Sequence, residues 1–511
     1  MQPSFSRSKN VSRNIVFGLI NRFFALLMPF IVRTVLIYRF GATCLGMNSL
    51  FASIFQMLNL AELGFGTAIV YSLYRPIAKE DTDTVCAYLG TYRKIYRIIG
   101  CVILLAGLAL MPVLPSLVKN STIPDNINLY VWYLLFLADA AISYLLFGYK
   151  TAIPSALQRN DLISRIDTVI LMGKSIVQII FLLATDNFYY YLLTSLFFTM
   201  LRNLLLSQLV ERLYPQYVCR GNISNSQFAE LKQLVYGLML SKIRGISRHA
   251  IDNICITAFI GLTMTAIYSN YFAIHTAVLS VSYTLCTAMT ASVGNSIAIE
   301  NTEKNYQDMR RFNFLYMLLA GWATICMLCL YQPFMKLWMG SDLILGYPEV
   351  VALCLYFYVL KAGDMRWVYF ESVGLWWKAR YIVIVEIICT VVLNILLAKY
   401  WGVLGIILAT LISLLFINFI FGAWILFREY FKNGKLHEFF ANQVLYFSIT
   451  VLTATFCVFI CEKIPSDWGF LGLQVRLILC TVSTAFFYYL VYHHTKRYQD
   501  AKIWLGSRFK V

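Results

Sequence analysis

Charge is scarce in this sequence. Only 13% of its 511 residues are Asp, Glu, Lys or Arg, against about 25% in soluble domains. With 60% hydrophobic residues and a mean hydropathy of +0.69, the chain has too little polar surface to clothe a soluble globule, and a soluble enzyme is excluded. Acids are scarcer still, 25 against 42 Lys and Arg. The five histidines, His249, His275, His437, His493 and His494, share no metal-ligating spacing. No G-x-x-x-x-G-K-[ST] is present, so ATP coupling within the chain is not expected; H-E-x-x-H, nucleophile-elbow and deaminase patterns are missing too. No loop is long enough for an extramembrane catalytic domain. Neither an enzymatic activity nor a cofactor or metal is expected.

Long apolar runs are what the sequence has in excess. Stretches of about 18 residues or more recur from end to end, each a candidate membrane-spanning helix. Fourteen fall at about 15–37, 45–70, 95–116, 129–149, 165–184, 188–210, 237–261, 266–292, 312–331, 346–363, 381–398, 402–427, 441–461 and 471–492. The N-terminus, every second connection and the tail hold 28 cations, among them Arg7, Arg75, Lys150, Arg212, Lys304, Lys361, Arg366, Arg428 and Lys510. The other connections hold five: Arg39, Lys119, Lys336, Lys399 and Lys463. By the positive-inside rule both termini belong in the cytoplasm. The net charge of +17 is therefore read as topology, and no nucleic-acid partner is expected. The thirteen cysteines lie almost wholly inside spans. Cys326 and Cys329, a C-x-x-C in the ninth, read as small packing residues. No secretory cleavage pattern is seen, and the first helix is expected to be an uncleaved span.

An internal repeat emerges on sliding the chain by 220 residues. TAIVYSLYRPIAKEDTD then faces TAMTASVGNSIAIENTE, sharing I-A-x-E-x-T-[DE] at the ends of the second and eighth spans. The same offset pairs Gly41 with Gly261 and Arg22 with Lys242. Six spans separate the copies, so both cross in the same direction, which is a parallel repeat about an axis along the membrane normal. The expected architecture is an all-α polytopic membrane protein of about 14 transmembrane helices. It comprises a six-helix lobe (1–210), a cytoplasmic linker (211–231), a second six-helix lobe (232–430), then two further helices and a basic tail (431–511).

Nine cations fall inside the spans: Arg22, Arg33, Arg97, Lys174, Arg202, Lys242, Arg244, Arg248 and Arg476. Arg97, Arg202 and Arg476 lie near helix ends, where they can snorkel. In the first span Asn14, Gly18, Arg22, Ala25, Pro29 and Arg33 recur at helical spacing. Asn48, Gln56, Asn59, Glu62 and Gly66 do so in the second, and Ser241, Arg244, Arg248 and Asp252, beside Lys242, in the seventh. Polar stripes on apolar helices face a bundle interior or a wet cavity. Arg22, Arg33, Lys242, Arg244 and Arg248 are accordingly candidate substrate-binding cations, suited to phosphate oxygens. Glu62, Asp139 and Asp252 are candidates for ion coupling or structural pairing; Asp252 stands one turn from Arg248.

Three stretches carry a family resemblance. RTVLIYRFGATCLGMNSLFASIFQMLNLAELGFGTAIVYSLYRPIAKED, DNICITAFIGLTMTAIYSNY and GLWWKARYIVIVEIICTVVLNILLAKYWGVLGIILATLIS resemble bacterial polysaccharide flippases of the O-antigen and capsule type. These belong to the multidrug/oligosaccharidyl-lipid/polysaccharide exporter superfamily. The resemblance, over about residues 12–430, implies two six-helix lobes facing a cavity lined by helices one, two, seven and eight. It also implies alternating-access transport of a polyprenyl-diphosphate-linked oligosaccharide across the bacterial inner membrane. The expected partners are that substrate, membrane lipid and polysaccharide polymerase or other assembly proteins, with the chain a monomer. A cation-coupled drug exporter of the same superfamily and a membrane glycosyltransferase or polymerase are the alternatives.

Overall fold

Apolar runs punctuated by glycine become long helices that turn at those glycines. The computed structural model describes residues 7–508 apart from 63, 122, 125, 126, 433, 434, 466 and 467. Side chains are described from 13 to 504, apart also from 61, 240–242, 244–247, 288, 291, 376, 377 and 379. Among the described residues every regular element is helical. The longer ones run Arg7–Leu58, Phe65–Ala78, Thr82–Leu110, Leu129–Leu145, Asn160–Ala184, Tyr189–Leu213, Asn225–Phe259 and Leu262–Ile299. Thr302–Met339, Tyr347–Ala362, Asp364–Val373, Trp376–Ser413, Leu436–Cys461, Gly469–Tyr492 and Lys496–Arg508 follow.

Nine of the described segments are long and apolar enough to cross a membrane. Arg13–Leu58 and Arg380–Phe431 each hold two helices, turned at Gly41 (φ 82°) and Gly402 (φ 56°). Leu129–Leu145 and Gly148–Ala156, bent by 53°, make a further pair. Asn225–Phe259, rich in cations, and Tyr347–Ala362, 16 residues long, occupy the seventh and tenth places without meeting the same test of length and composition. The result is an all-α polytopic fold with the helix order read from the sequence. One span differs: 45–70 is not a continuous helix. It breaks into a 3₁₀ turn at Asn59–Glu62 and a left-handed Gly64 (φ 98°), so the polar residues on either side do not form one stripe.

The 220-residue offset is visible in the backbone. Gly41 and Gly261, its partner, both take positive φ (82° and 130°) where one span turns into the next. Phe65–Ala78 ends one residue short of the equivalent of Ile299, and Thr82 and Thr302 start equivalent helices. The caps match as well: Asp81 accepts from the Thr84 N–H, and Asn301, 220 residues on, accepts from the Lys304 N–H.

Packing groups the chain into two compact units, Met1–Ala266 and Ile267–Val511. This partition differs from the repeat, because Asn225–Phe259 packs on Arg7–Leu58 and Phe65–Ala78 inside the first unit. Glycine permits the approach. A Cβ on Gly46 would stand 1.9 Å from the Leu262 carbonyl oxygen, and one on Gly64 2.8 Å from that of Val235. In the second unit Thr302–Met339 runs through an aromatic core that includes Phe314, Phe427, Phe439, Tyr446 and Tyr492.

Three cations assigned to cytoplasmic connections are in fact buried: Lys150, Lys361 and Arg366. Short helices after each bend fold these charges inward, where each finds a partner. Lys150 donates to Ser207 Oγ (2.8 Å) and pairs with Glu211. Lys361 pairs with Asp364, and Arg366 donates to Asn418 Oδ1 at 3.0 Å.

Candidate functional site

The first unit holds a partly open cavity of about 330 Å³ between its long helices. Arg33 enters it from the first helix, Asn48 and Ser49 from the segment after the Gly41 turn. Asp139 comes from Leu129–Leu145, Lys174 and Gln178 from Asn160–Ala184, and Tyr191 and Ser195 from Tyr189–Leu213. The polar wall is held in place. Gln178 Nε2 donates to the Tyr191 carbonyl (3.3 Å) and Ser195 Oγ (3.1 Å), and Trp132 Nε1 donates to Asn48 Oδ1 at 3.3 Å. Arg39 fixes the nearby turn by donating to the Leu182 carbonyl (3.2 Å) and Asp186 (3.2 Å).

Two cations and one acid share this space, which gives it a positive balance. Asp139 Oδ1 and Ser49 Oγ are buried without a hydrogen-bond partner among the described residues. A buried orphan acceptor is costly unless water, an ion or a ligand serves it. The cavity thus presents cationic donors from Arg33 and Lys174 beside an unserved carboxylate oxygen of Asp139.

The candidates chosen from the sequence are distributed differently. Arg33 and Asp139 meet in the cavity. Arg22 lies eleven residues earlier, roughly 16 Å along the helix, and is exposed. Arg248 and Asp252 are both buried on Asn225–Phe259, away from the cavity lining. The side chains of Lys242 and Arg244 lie outside the described residues. Lys174, Gln178 and Tyr191 had not been singled out for the site. An isolated lysine in an apolar helix was the signal for Lys174, but its partners come from three other helices and no spacing connects them.

Glu62 sits in a separate cluster. Its carboxylate accepts from Tyr96 Oη at 2.6 Å and from Tyr144 Oη at 3.4 Å. Gly66 leaves room for this: a Cβ there would stand 3.0 Å from Tyr92 Oη and 3.4 Å from Glu62 Oε1. Among the described residues no cation pairs with Glu62. The second unit holds a counterpart, in which Asp364 accepts from Tyr316 Oη (2.5 Å) and Lys361 Nζ (2.5 Å). Beside it Arg366 bonds Asn418, which donates to Glu386 Oε2 at 2.8 Å. A Cβ on Gly422 would stand 2.3 Å from the Arg366 guanidinium, so a larger residue there would push that group out of its place.

The fold is that of the transporters of the MOP superfamily. The lipid II flippase MurJ in an inward closed conformation matches with a TM-score of 0.64 at 12% identity, over 94% of this chain and 99% of its own. An inward-facing multidrug resistance MATE family transporter matches at 0.59 and 14%, over 81% of this chain and 98% of its own. A MOP superfamily transporter from Pyrococcus furiosus, described for the reverse polarity of its binding pocket, matches at 0.53 and 15%, over 83% and 97%. No sequence-family model and no curated protein matches the chain.

Proposed function

We propose that this chain is a flippase for a polyprenyl-diphosphate-linked oligosaccharide, working by alternating access in the bacterial inner membrane with both termini cytoplasmic. The observation that carries the reading is the pair of cations, Arg33 and Lys174, in one cavity whose described lining holds a single acid, Asp139. A diphosphate entering a cavity of low polarity needs charge-assisted donors, and arginine supplies them in a fork. The extent of the match supports it too. The flippase covers 94% of this chain, the MATE transporter 81%, a shortfall comparable with residues 431–511. Arg22, Lys242, Arg244 and Arg248 are proposed to guide the same anion along its route. Glu62, Asp139 and Asp252 are the proposed coupling or pairing carboxylates, Glu62 because only neutral tyrosines serve it among the described residues. Assembly proteins such as a polymerase would receive the product.

The orphan oxygen of Asp139 favours a second reading, a cation-coupled exporter of small cationic molecules. Binding separates the two. In nanodiscs the chain should bind a short isoprenoid diphosphate, and Arg33→Ala or Lys174→Ala should each weaken it about 10- to 100-fold, the worth of a hydrogen bond to a charged group. Binding of a lipophilic cation that Asp139→Asn abolishes, with no diphosphate binding, would replace the flippase reading by the exporter.

A further inference from the structure

Five of the thirteen cysteines gather where three helices of the second unit meet. Cys326 and Cys329 come from Thr302–Met339, Cys457 and Cys461 from Leu436–Cys461, and Cys480 from Gly469–Tyr492. All five are buried, and none is in a disulfide. The sulfurs of Cys329, Cys461 and Cys480 lie within 4.8 Å of one another, with Cys461 and Cys480 3.9 Å apart. Each helix supplies one sulfur, and Cys329 is far from the other two in sequence, so this convergence is tertiary.

Metal–sulfur bonds of about 2.3 Å set the sulfurs of a trigonal or tetrahedral thiolate site about 4 Å apart. The cluster already has nearly that spacing. Its frame is firm as well. Gly321 lets the Tyr488 hydroxyl and Thr450 approach its backbone, where a Cβ would collide at 2.2 and 2.7 Å. Trp322 Nε1 donates to Thr481 Oγ1 at 3.1 Å. Arg476 Nη2 donates to the Ile464 carbonyl at 2.8 Å, tying down the connection that follows Cys461.

We propose that Cys329, Cys461 and Cys480 bind one Cu(I) ion as three thiolates, clasping the two C-terminal helices to Thr302–Met339. Soft sulfur selects Cu(I) over hard cations. A monovalent ion satisfied by three ligands also suits a site where three sulfurs converge and no oxygen or nitrogen ligand joins them in the described cluster. Binding displaces three thiol protons and forms three copper–sulfur bonds. No sulfur–sulfur bond forms, and no electron is transferred.

The test is a titration of the full chain in detergent, under anaerobic conditions, with Cu(I) delivered from a chromophoric chelator. One Cu(I) per chain is expected, with sulfur-to-copper absorption in the near ultraviolet and X-ray absorption showing three sulfurs at about 2.3 Å. Cys461→Ser and Cys480→Ser should each weaken binding at least about 100-fold, while Cys101→Ser and Cys389→Ser leave it unchanged. If a cluster variant does not fold, the stoichiometry and sulfur count of the unsubstituted chain still decide. The proposal is overturned by any of three results: no stoichiometric Cu(I), binding that survives the Cys329→Ser/Cys461→Ser/Cys480→Ser triple variant, or a Cys461–Cys480 disulfide in chain purified under reducing conditions.

Discussion

Glu62 in the first unit and Asp364 in the second answer the same structural question in opposite ways. Tyr316 stands 220 residues after Tyr96, Cys286 after Gly66, and Asp364 after Tyr144. In one unit the carboxylate sits on the 3₁₀ turn and the equivalent of Asp364 is a tyrosine. In the other, the carboxylate has moved to that place and gained Lys361 as a counter-ion. Both keep a tyrosine hydroxyl on the carboxylate. The duplicated scaffold thus preserves a site for one acid but not its charge balance. Asp364 is balanced by Lys361 within its own unit, whereas among the described residues Glu62 is served by tyrosine hydroxyls.

The largest effect should come from unbalancing the second site. Lys361→Met, which strands Asp364, should cost about 3–5 kcal/mol, as should Asp364→Asn. The Lys361→Met/Asp364→Asn double variant should recover much of that loss in thermal unfolding followed by tryptophan fluorescence. Additive single losses would mean that the pair is not coupled. The first site should behave otherwise. Tyr96→Phe should cost about 1 kcal/mol and Tyr144→Phe less, because its bond is longer. Glu62→Gln should leave the protein folded with a loss of no more than about 1 kcal/mol, since only hydroxyl bonds are weakened. A Glu62→Gln variant as unstable as Lys361→Met would make both acids structural and erase the contrast.

The smallest effect concerns the caps. Asn301→Ala should cost about 1 kcal/mol at every pH. At Asp81 the Thr84 side chain and N–H hold the carboxyl below its ordinary value, with Lys79 adding to the effect. A depressed folded-state pKa stabilises above the unfolded value of about 3.9 and is lost as pH falls through the folded value. The Asp81→Ala deficit should therefore fade below about pH 4, while the Asn301→Ala deficit should not. Unfolding midpoints measured across pH 3–6 decide, and parallel curves would refute the distinction.

Helices, their order and the 220-residue offset could be read from the sequence because each is local or periodic. Gly41 and Gly261 even appeared as a pair before their backbone angles were known. Depth could not be read. Lys150, Lys361 and Arg366 were tallied with solvent-facing loop cations because a charge count assigns a side of the membrane, not burial. Helical periodicity put Arg22 and Arg33 on one face but could not say that a single cavity reaches only the second. Lys174 joins Arg33 through contacts among helices far apart in sequence, which no spacing encodes. The break at Asn59–Gly64, which sends Glu62 toward its tyrosines, is written in one glycine that an apolar window averages away.

The contact between Gly46 and Leu262 limits what the chain can carry at position 46. At that point there is no room for a methyl group, so the second helix rests directly on the turn that follows the seventh. A bulky residue at position 46 would wedge the second helix away from that turn and loosen the first unit from within.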